Sequence, residues 1–315
     1  MKKILKWLGV IILVLLGGVT IATSFRQHIT YDAPFPEISA STDSAIIARG
    51  RHIVLGPGHC VDCHSNGADK DSLLRAGLEP ELSGGYKFEL PFGNFYTKNL
   101  TPDKETGIGK LTDPEIARII RYGIHANGEM VLPFMPFQDM TDDDLTAVIS
   151  YLRKLKPVKN KIPEQEYNLM GKLIRAFMLK PSGPSEAFLN HIKPDTSAVY
   201  GRYLSMVVAN CNECHTKRDG VGNYIGEPMA GGMIFEEPGK PTLVTPNLTP
   251  DSSSRIFGWS REMFIGRFRM GKLIEHSHMP WTAYGRMTDD ELSAIYNFLG
   301  TLKPVKTGMV DIGED

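Results

Sequence analysis

Apolar residues follow three different patterns along this chain of 315 residues. The first is an uncharged run from Trp7 to Phe25, behind Lys2, Lys3 and Lys6. At about 1.5 Å per residue it reaches roughly 28 Å as a helix, close to the hydrocarbon thickness of a bilayer. A basic end followed by such a run is either a cleaved signal peptide or a retained signal anchor. Ala22-Thr23-Ser24 offers a small-residue cleavage site, whereas the length exceeds a usual signal core and favours an anchor over 1–25. The lysines are then cytoplasmic and everything after them is exported. Residues 26–44, with Pro34 and Pro36 and little periodicity, read as a stalk lifting the next domain off the membrane.

The second pattern is helical and comes in short segments. Thr112-Asp113-Pro114-Glu115 is a capping box, and Ile116, Ile119 and Ile120 follow on one face. Thr141 with Asp144, and Thr288 with Glu291, open two further helices. Their apolar residues, Leu145, Val148, Ile149 and Leu152, then Leu292, Ile295, Tyr296 and Leu299, keep the 3.6 period. Pro157 and Pro304 stop them. No comparable strand pattern occurs, so the expectation is an all-α protein with long loops rich in glycine and proline.

The third pattern is a stripe of Leu169, Met170, Leu173, Ile174, Phe177 and Met178 beside Lys172, Arg175 and Lys180. It predicts an amphipathic linker helix packed across the domains on either side. A docking surface for a partner or for the membrane interface is the alternative.

These segments recur in order. Arg49-Gly50-Arg51 precedes Cys60-Val61-Asp62-Cys63-His64 as Tyr200-Gly201-Arg202 precedes Cys211-Asn212-Glu213-Cys214-His215. Asn-Leu-Thr-Pro-Asp follows at 99–103 and at 247–251. Glu115 to Gly123 corresponds to Met263 to Gly271, and Met135-Pro136-Phe137 to Met279-Pro280-Trp281. Each copy ends in Met-Thr-Asp-Asp, a helix, and Lys-Pro-Val-Lys. Copies of this size can bury their own cores, so the reading is a domain duplication. The expected divisions are domains over 45–159 and 195–308, a linker over 160–194 and a tail over 309–315.

Both pentapeptides are C-x-x-C-H, and together they use all 4 cysteines. This is the attachment signature of c-type haem. Two thiols add to the porphyrin vinyl groups, and the adjoining imidazole becomes an iron ligand. A disulfide scaffold is unnecessary in a chain of this length. A thioredoxin-like pair leaves the two histidines unexplained, and a zinc site needs two distant knuckles to meet. Two covalent haems are therefore expected, at Cys60, Cys63 and His64 and at Cys211, Cys214 and His215.

The other axial position decides whether the iron is closed, for electron transfer, or open to a substrate. Met135 and Met279 occupy the same place in each copy, before a proline and an aromatic residue, and are the candidate ligands. A soft thioether favours ferrous iron and raises the potential. Met130 rivals Met135, and His278 rivals Met279; Met140 and Met287 read as packing residues under a helix start. Two readings stay open for Arg51, Arg202, Arg121, Arg269, Asn99 and Asn247: partners of haem propionates, or groups that cap helices and hold loops. His52, His59, His125 and His191 read as surface or packing residues.

Charge adds one refinement. The formal net charge is -1, and without the three leading lysines it is about -4, so nothing argues for nucleic acid.

With G-R before each motif, the two N-L-T-P-D pentads, T-G-I-G at Thr106 to Gly109, the two M-P pairs and the M-T-D-D helix starts, the chain resembles the class I cytochrome c superfamily over both copies. More closely, it is similar to the membrane-associated cytochrome c subunits of bacterial alcohol, aldehyde and gluconate dehydrogenases. It departs from them in having two motifs where three are common, and Leu111 where tryptophan is usual. The resemblance implies tandem class I cytochrome c domains holding two haems c. The closed-iron reading makes the chain an electron carrier, not an enzyme, and the N-terminal run places it on the periplasmic side of the cytoplasmic membrane. Its expected partners, a dehydrogenase or quinol donor and a terminal oxidase, follow from that role and are not carried over from the resemblance. The alternative is a dihaem enzyme of the peroxidase or thiosulfate dehydrogenase type, which needs one open iron.

Overall fold

The computed structural model describes residues 2–185, 188–220, 222–237 and 239–307. The expected tail over 309–315 lies outside the described residues, as does Gly308.

Helix α1 (Lys2–Arg26) keeps its apolar side chains exposed and buries only Thr23, near its C-terminal end. Residues 27–43 have no regular structure, but they are not the free stalk that was expected. Their backbone is tied to the domain by Tyr31 N–H on Gly128 O (2.8 Å), Ala40 N–H on Asp113 (2.7 Å) and Ser41 N–H on Ser150 (2.7 Å), and Ile38 is buried. Polar backbone running over a folded surface finds partners there, and this segment is a strap.

Asp43 caps α2 (Ser44–Leu55), which leads through a short loop into α3 (Cys60–His64) and α4 (Lys70–Arg75). Next comes a hairpin of β1 (Lys87–Leu90) and β2 (Gly93–Tyr96). Helices α5 (Asp113–Tyr122) and α6 (Asp142–Lys154) start at Thr112, with its reciprocal Glu115 bond, and at Thr141. A third strand, β3 (Glu166–Tyr167), pairs with β2, and α7 (Leu169–Phe177) follows.

The order then resumes with α8 (Ala198–Tyr203), which widens into a π-turn over Leu204–Val208, and α9 (Cys211–His215). Strands β4 (Ile234–Phe235) and β5 (Leu243–Val244) pair antiparallel. Helices α10 (Arg261–Arg269), α11 (Trp281–Tyr284) and α12 (Asp289–Leu299) complete the described chain, with Thr288 and Glu291 forming the expected box. The protein is mainly helical, with two small sheets that the sequence pattern did not announce.

Two close helix crossings carry the core. Helix α2 lies on α6, and α8 lies on α12. A Cβ on Gly50 would sit 1.8 Å from Ala147 O, and one on Gly201 would sit 1.9 Å from Ala294 O. The glycine before Arg51 and Arg202 is therefore what lets two backbones touch.

The two helix pairs also meet each other through buried charge. Arg49 spans Asp144 (2.9 and 3.0 Å), Glu291 (3.0 Å) and the Tyr200 hydroxyl (3.1 Å). His52 Nε2 is 2.7 Å from Glu291, and the Tyr203 hydroxyl donates to Asp144 (2.8 Å). His52 is thus one member of an ionic cluster, a role that its isolated place in the sequence did not suggest.

Candidate functional site

Each C-x-x-C-H run is a five-residue helix entered through a left-handed residue, His59 (φ 37) before Cys60 and Asn210 (φ 50) before Cys211. Residues three apart on a helix share a side, so the two thiols of each run face the same way. The imidazoles are held alike. His64 Nδ1 is 2.8 Å from Lys98 O, and His215 Nδ1 is 3.0 Å from Pro246 O. With Nδ1–H donating to a carbonyl, Nε2 carries the free lone pair. Burial lowers both histidine pKa values, which keeps the rings neutral and fit to bind a metal.

The pentads explain the two carbonyls. Lys98 and Pro246 immediately precede Asn99 and Asn247. Asn99 Nδ2 donates to Val158 O (2.8 Å) and Asn247 Nδ2 to Val305 O (2.7 Å), and Val158 and Val305 return N–H bonds to Thr101 and Thr249 (both 3.1 Å). The asparagines hold loops, which decides one of the open readings. Behind each histidine a glycine closes the turn, Gly84 N–H on His64 O (2.8 Å) and Gly231 N–H on His215 O (2.7 Å). Both have φ +71, and a Cβ on either would lie 2.5 Å or less from backbone, so no other residue fits. These paired glycines escaped the sequence reading, although Gly84-Gly85 and Gly231-Gly232 are visible there as repeats.

In the second copy the predicted residues converge. Cys211, Cys214, His215 and Met279 line one cleft with about 1330 Å³ of empty space, its open mouth included. Its walls include Trp259, Phe264 and Trp281, and two arginines, Arg255 and Arg267, reach into it. Arg267 stacks on Trp281 (3.7 Å) and donates to Gly271 O (2.7 Å); among the described residues neither arginine pairs with a carboxylate. A flat apolar ring carrying two carboxylates fits this set: aromatic walls for the ring, guanidinium groups for the acids, thiols and imidazole at one side, and a thioether in the same cleft.

The thiols fit as well. Burial pushes Cys60 and Cys211 up to about 12, and raises Cys63 and Cys214. Zinc binding and disulfide exchange both need thiolates, whereas a thioether is neutral and tolerates burial. Among the described residues no group of three or more histidine, cysteine or acidic side chains forms a metal cluster.

In the first copy Cys60, Cys63 and His64 are set in the same way. Met135 lies partly buried against the core. Its carbonyl accepts Phe137 N–H (3.0 Å), as Met279 O accepts Trp281 N–H (2.8 Å). The Met-Pro-aromatic segment therefore makes the same tight turn twice. Met140 and Met287 are buried beneath helix starts, as expected. His278 also lines the cleft of the second copy, but its Nε2 pairs with Glu237 (2.9 Å) and its ring stacks on Phe235 (4.8 Å).

Three of the four repeated arginines serve structure. Arg121 binds Met140 O and Asp142, Arg269 binds Met287 O and Asp289, and Arg51 pairs with Glu79; Arg202 is exposed. The cleft arginines are others, at positions where the first copy has Gly107 and Ile119. A repeat search could not find them. The two halves also touch near their cysteine helices: His59 meets Tyr284 edge to face (5.6 Å), and Arg286 donates to Leu74 O (3.0 Å).

No family model matches the chain. A dihaem c-type cytochrome of Cereibacter sphaeroides is 31% identical over 216 residues, 64% of this chain and 67% of that protein. The chain belongs to the cytochrome c family. Similar proteins include the cytochrome c subunit of a quinone-dependent alcohol dehydrogenase of Gluconacetobacter polyoxogenes, 31% identical over 308 residues, 89% of this chain and 62% of that one. The cytochrome subunit of a fructose dehydrogenase of Gluconobacter japonicus is 29% identical over 305 residues, 88% and 56% respectively. This cytochrome spans between 56% and 62% of those two dehydrogenase subunits.

Proposed function

We propose that the chain is a membrane-anchored, extracytoplasmic dihaem cytochrome c. In this reading it relays electrons from a dehydrogenase or quinol donor to a terminal acceptor. One haem would be held by Cys60, Cys63, His64 and Met135, and the other by Cys211, Cys214, His215 and Met279, the thiols giving thioether bonds and the imidazole and methionine sulfur binding iron. The duplicated domains are those over 45–159 and 195–308. When bound, haem iron supplies a one-electron ferric–ferrous couple.

The residues do the rest. Lys98 O and Pro246 O orient the imidazoles, and the paired glycines hold the peptide behind them. Met135 and Met279 sit in matching Met-Pro turns and would supply the thioether ligands. Aromatic walls limit water, which favours the less charged reduced state. Arg255 and Arg267 offer counter-charges to carboxylates at the second site.

The observation that carries the proposal is the identical setting of His64 and His215: the same five-residue helix, the same Nδ1 contact with the residue before an Asn-Leu-Thr-Pro-Asp run, and the same glycine behind. Such symmetry suits two centres doing one job. The dihaem enzyme alternative requires asymmetry at the axial position, and both copies carry the Met-Pro turn.

Helix α1 supports the anchor, since it is long, apolar and free of burial over its central window. Named dehydrogenase subunits among the relatives support a dehydrogenase as partner. Protein matured with its haem should show two haems per chain by pyridine haemochrome and a mass raised by two haems. A single haem, or one lost on denaturation, contradicts the assignment.

A further inference from the structure

Helix α7 was expected to pack its apolar stripe across both domains, and it does not. Its covered face is narrow: Gly171, whose added Cβ would lie 2.1 Å from Phe92 O, and Ala176. Four of the six stripe residues are turned outward, with Leu169 74%, Met170 54%, Phe177 46% and Met178 58% exposed, while Leu173 and Ile174 are half-buried. At 100° per residue, Leu169, Leu173, Phe177 and Met170 fall within an arc of about 100°, with Arg175 opposite and Lys172 flanking the Leu169 edge.

The place of α7 is fixed by α1. Arg26, the last residue of α1, donates from Nε to Ala176 O (3.1 Å), and its guanidinium lies over the Phe177 ring (5.3 Å). Thr23, one turn earlier, is the buried residue of α1. The outward stripe therefore sits at the level where α1 ends its apolar run. Charge agrees with that position: between Tyr167 and Ser185 the chain has Lys172, Arg175 and Lys180 and no acidic residue, in a protein that is otherwise acidic.

We propose that α7 is an interfacial helix, lying on the membrane beside the exit of α1, its apolar stripe at the acyl boundary and its basic residues among anionic headgroups. This rests on the reading of α1 as a membrane span. A short apolar face with basic flanks suits such a surface, where buried apolar area and attraction to anionic lipid add. A second contact beside the span limits rocking of the haem domains about a single helix, and so fixes which surface they show to a membrane-bound donor.

The test uses the full haem-loaded chain in nanodiscs of mixed phosphatidylcholine and phosphatidylglycerol. Thioether attachment consumes the native thiols, so one introduced cysteine takes a nitroxide label alone. Leu169→Cys, Met170→Cys and Met178→Cys report α7, Leu13→Cys reports α1, and Lys110→Cys reports water. Accessibility to oxygen against a water-soluble nickel chelate is read by power saturation, after the haem spectrum of each variant is matched to the parent. The α7 labels are expected to favour oxygen several-fold, as Leu13 does, while Lys110 favours nickel. Water-like α7 labels beside a lipid-like Leu13 overturn the interfacial helix alone. A water-like Leu13 removes the anchor and this inference together. Shielding of the α7 labels from both reagents overturns it in favour of a protein partner or a second copy.

Discussion

Arg267 lies on the Trp281 ring inside the cleft of the second site, and burial followed by the nearness of Arg255 lowers its pKa. A fixed positive charge beside iron favours the reduced state, so Arg267→Gln should lower one of two midpoint potentials by on the order of 50 mV and leave the other unchanged. Potentiometric titration reads this directly, and equal shifts in both haems contradict it. Glu291 makes a different case. Desolvation raises its pKa, but the His52 contact and the Arg49 charge outweigh this and hold it at about 2. A depressed carboxylate stabilises the fold above its unfolded pKa, and that contribution is lost as pH falls from about 4.5 towards 2. Its size is about 3 kcal/mol. Denaturation midpoints should therefore fall over this window, and Glu291→Gln should be less stable at neutral pH with a flatter profile; an unchanged slope contradicts the assignment. At this scale the cysteines and histidines were legible because thioether chemistry fixes their spacing. Arg255 and Arg267 were not, because they act through tertiary approach and occur in one copy only.

Among the elements, the helices announced themselves through caps and periodicity. Thr112, Thr141 and Thr288 all cap where the sequence said they would. The strands did not, since each is four residues or shorter and is held by pairing that has no local signature. The helix crossings give the sharpest expectation. Gly50→Ala and Gly201→Ala each drive a methyl into a carbonyl and should destabilise by about 3 kcal/mol or more in denaturant titration. Gly266→Ala, in α10 with nothing within 4 Å, should gain up to about 1 kcal/mol. Equal effects at all three positions would show that the crossings are looser than described. The direction faced by α7 was illegible for a related reason. Periodicity reveals that a helix has an apolar face, but not what lies against it.

For the molecule as a whole, the repeat predicted corresponding parts but not how they meet. Arg49, His52, Asp144, Tyr200, Tyr203 and Glu291 join the two helix pairs, and they occupy matched positions in the two copies with different residue types. Beside that cluster, His59 and Tyr284 bring the first cysteine helix against the segment that follows Met279. The proposed haems are thus mounted in one connected body, on a chain with one long apolar helix, α1, among its described residues. The proposed relay requires both irons to be closed by methionine. Ferric absorption in the far red tests it most directly, on the parent protein, Met135→Ala and Met279→Ala. The account predicts a methionine–iron band in the parent, loss of about half its intensity in either variant, and low-spin haems that bind no cyanide or peroxide at rest. A parent without the band, or with one resting high-spin haem that binds peroxide, would contradict the relay and favour an enzyme.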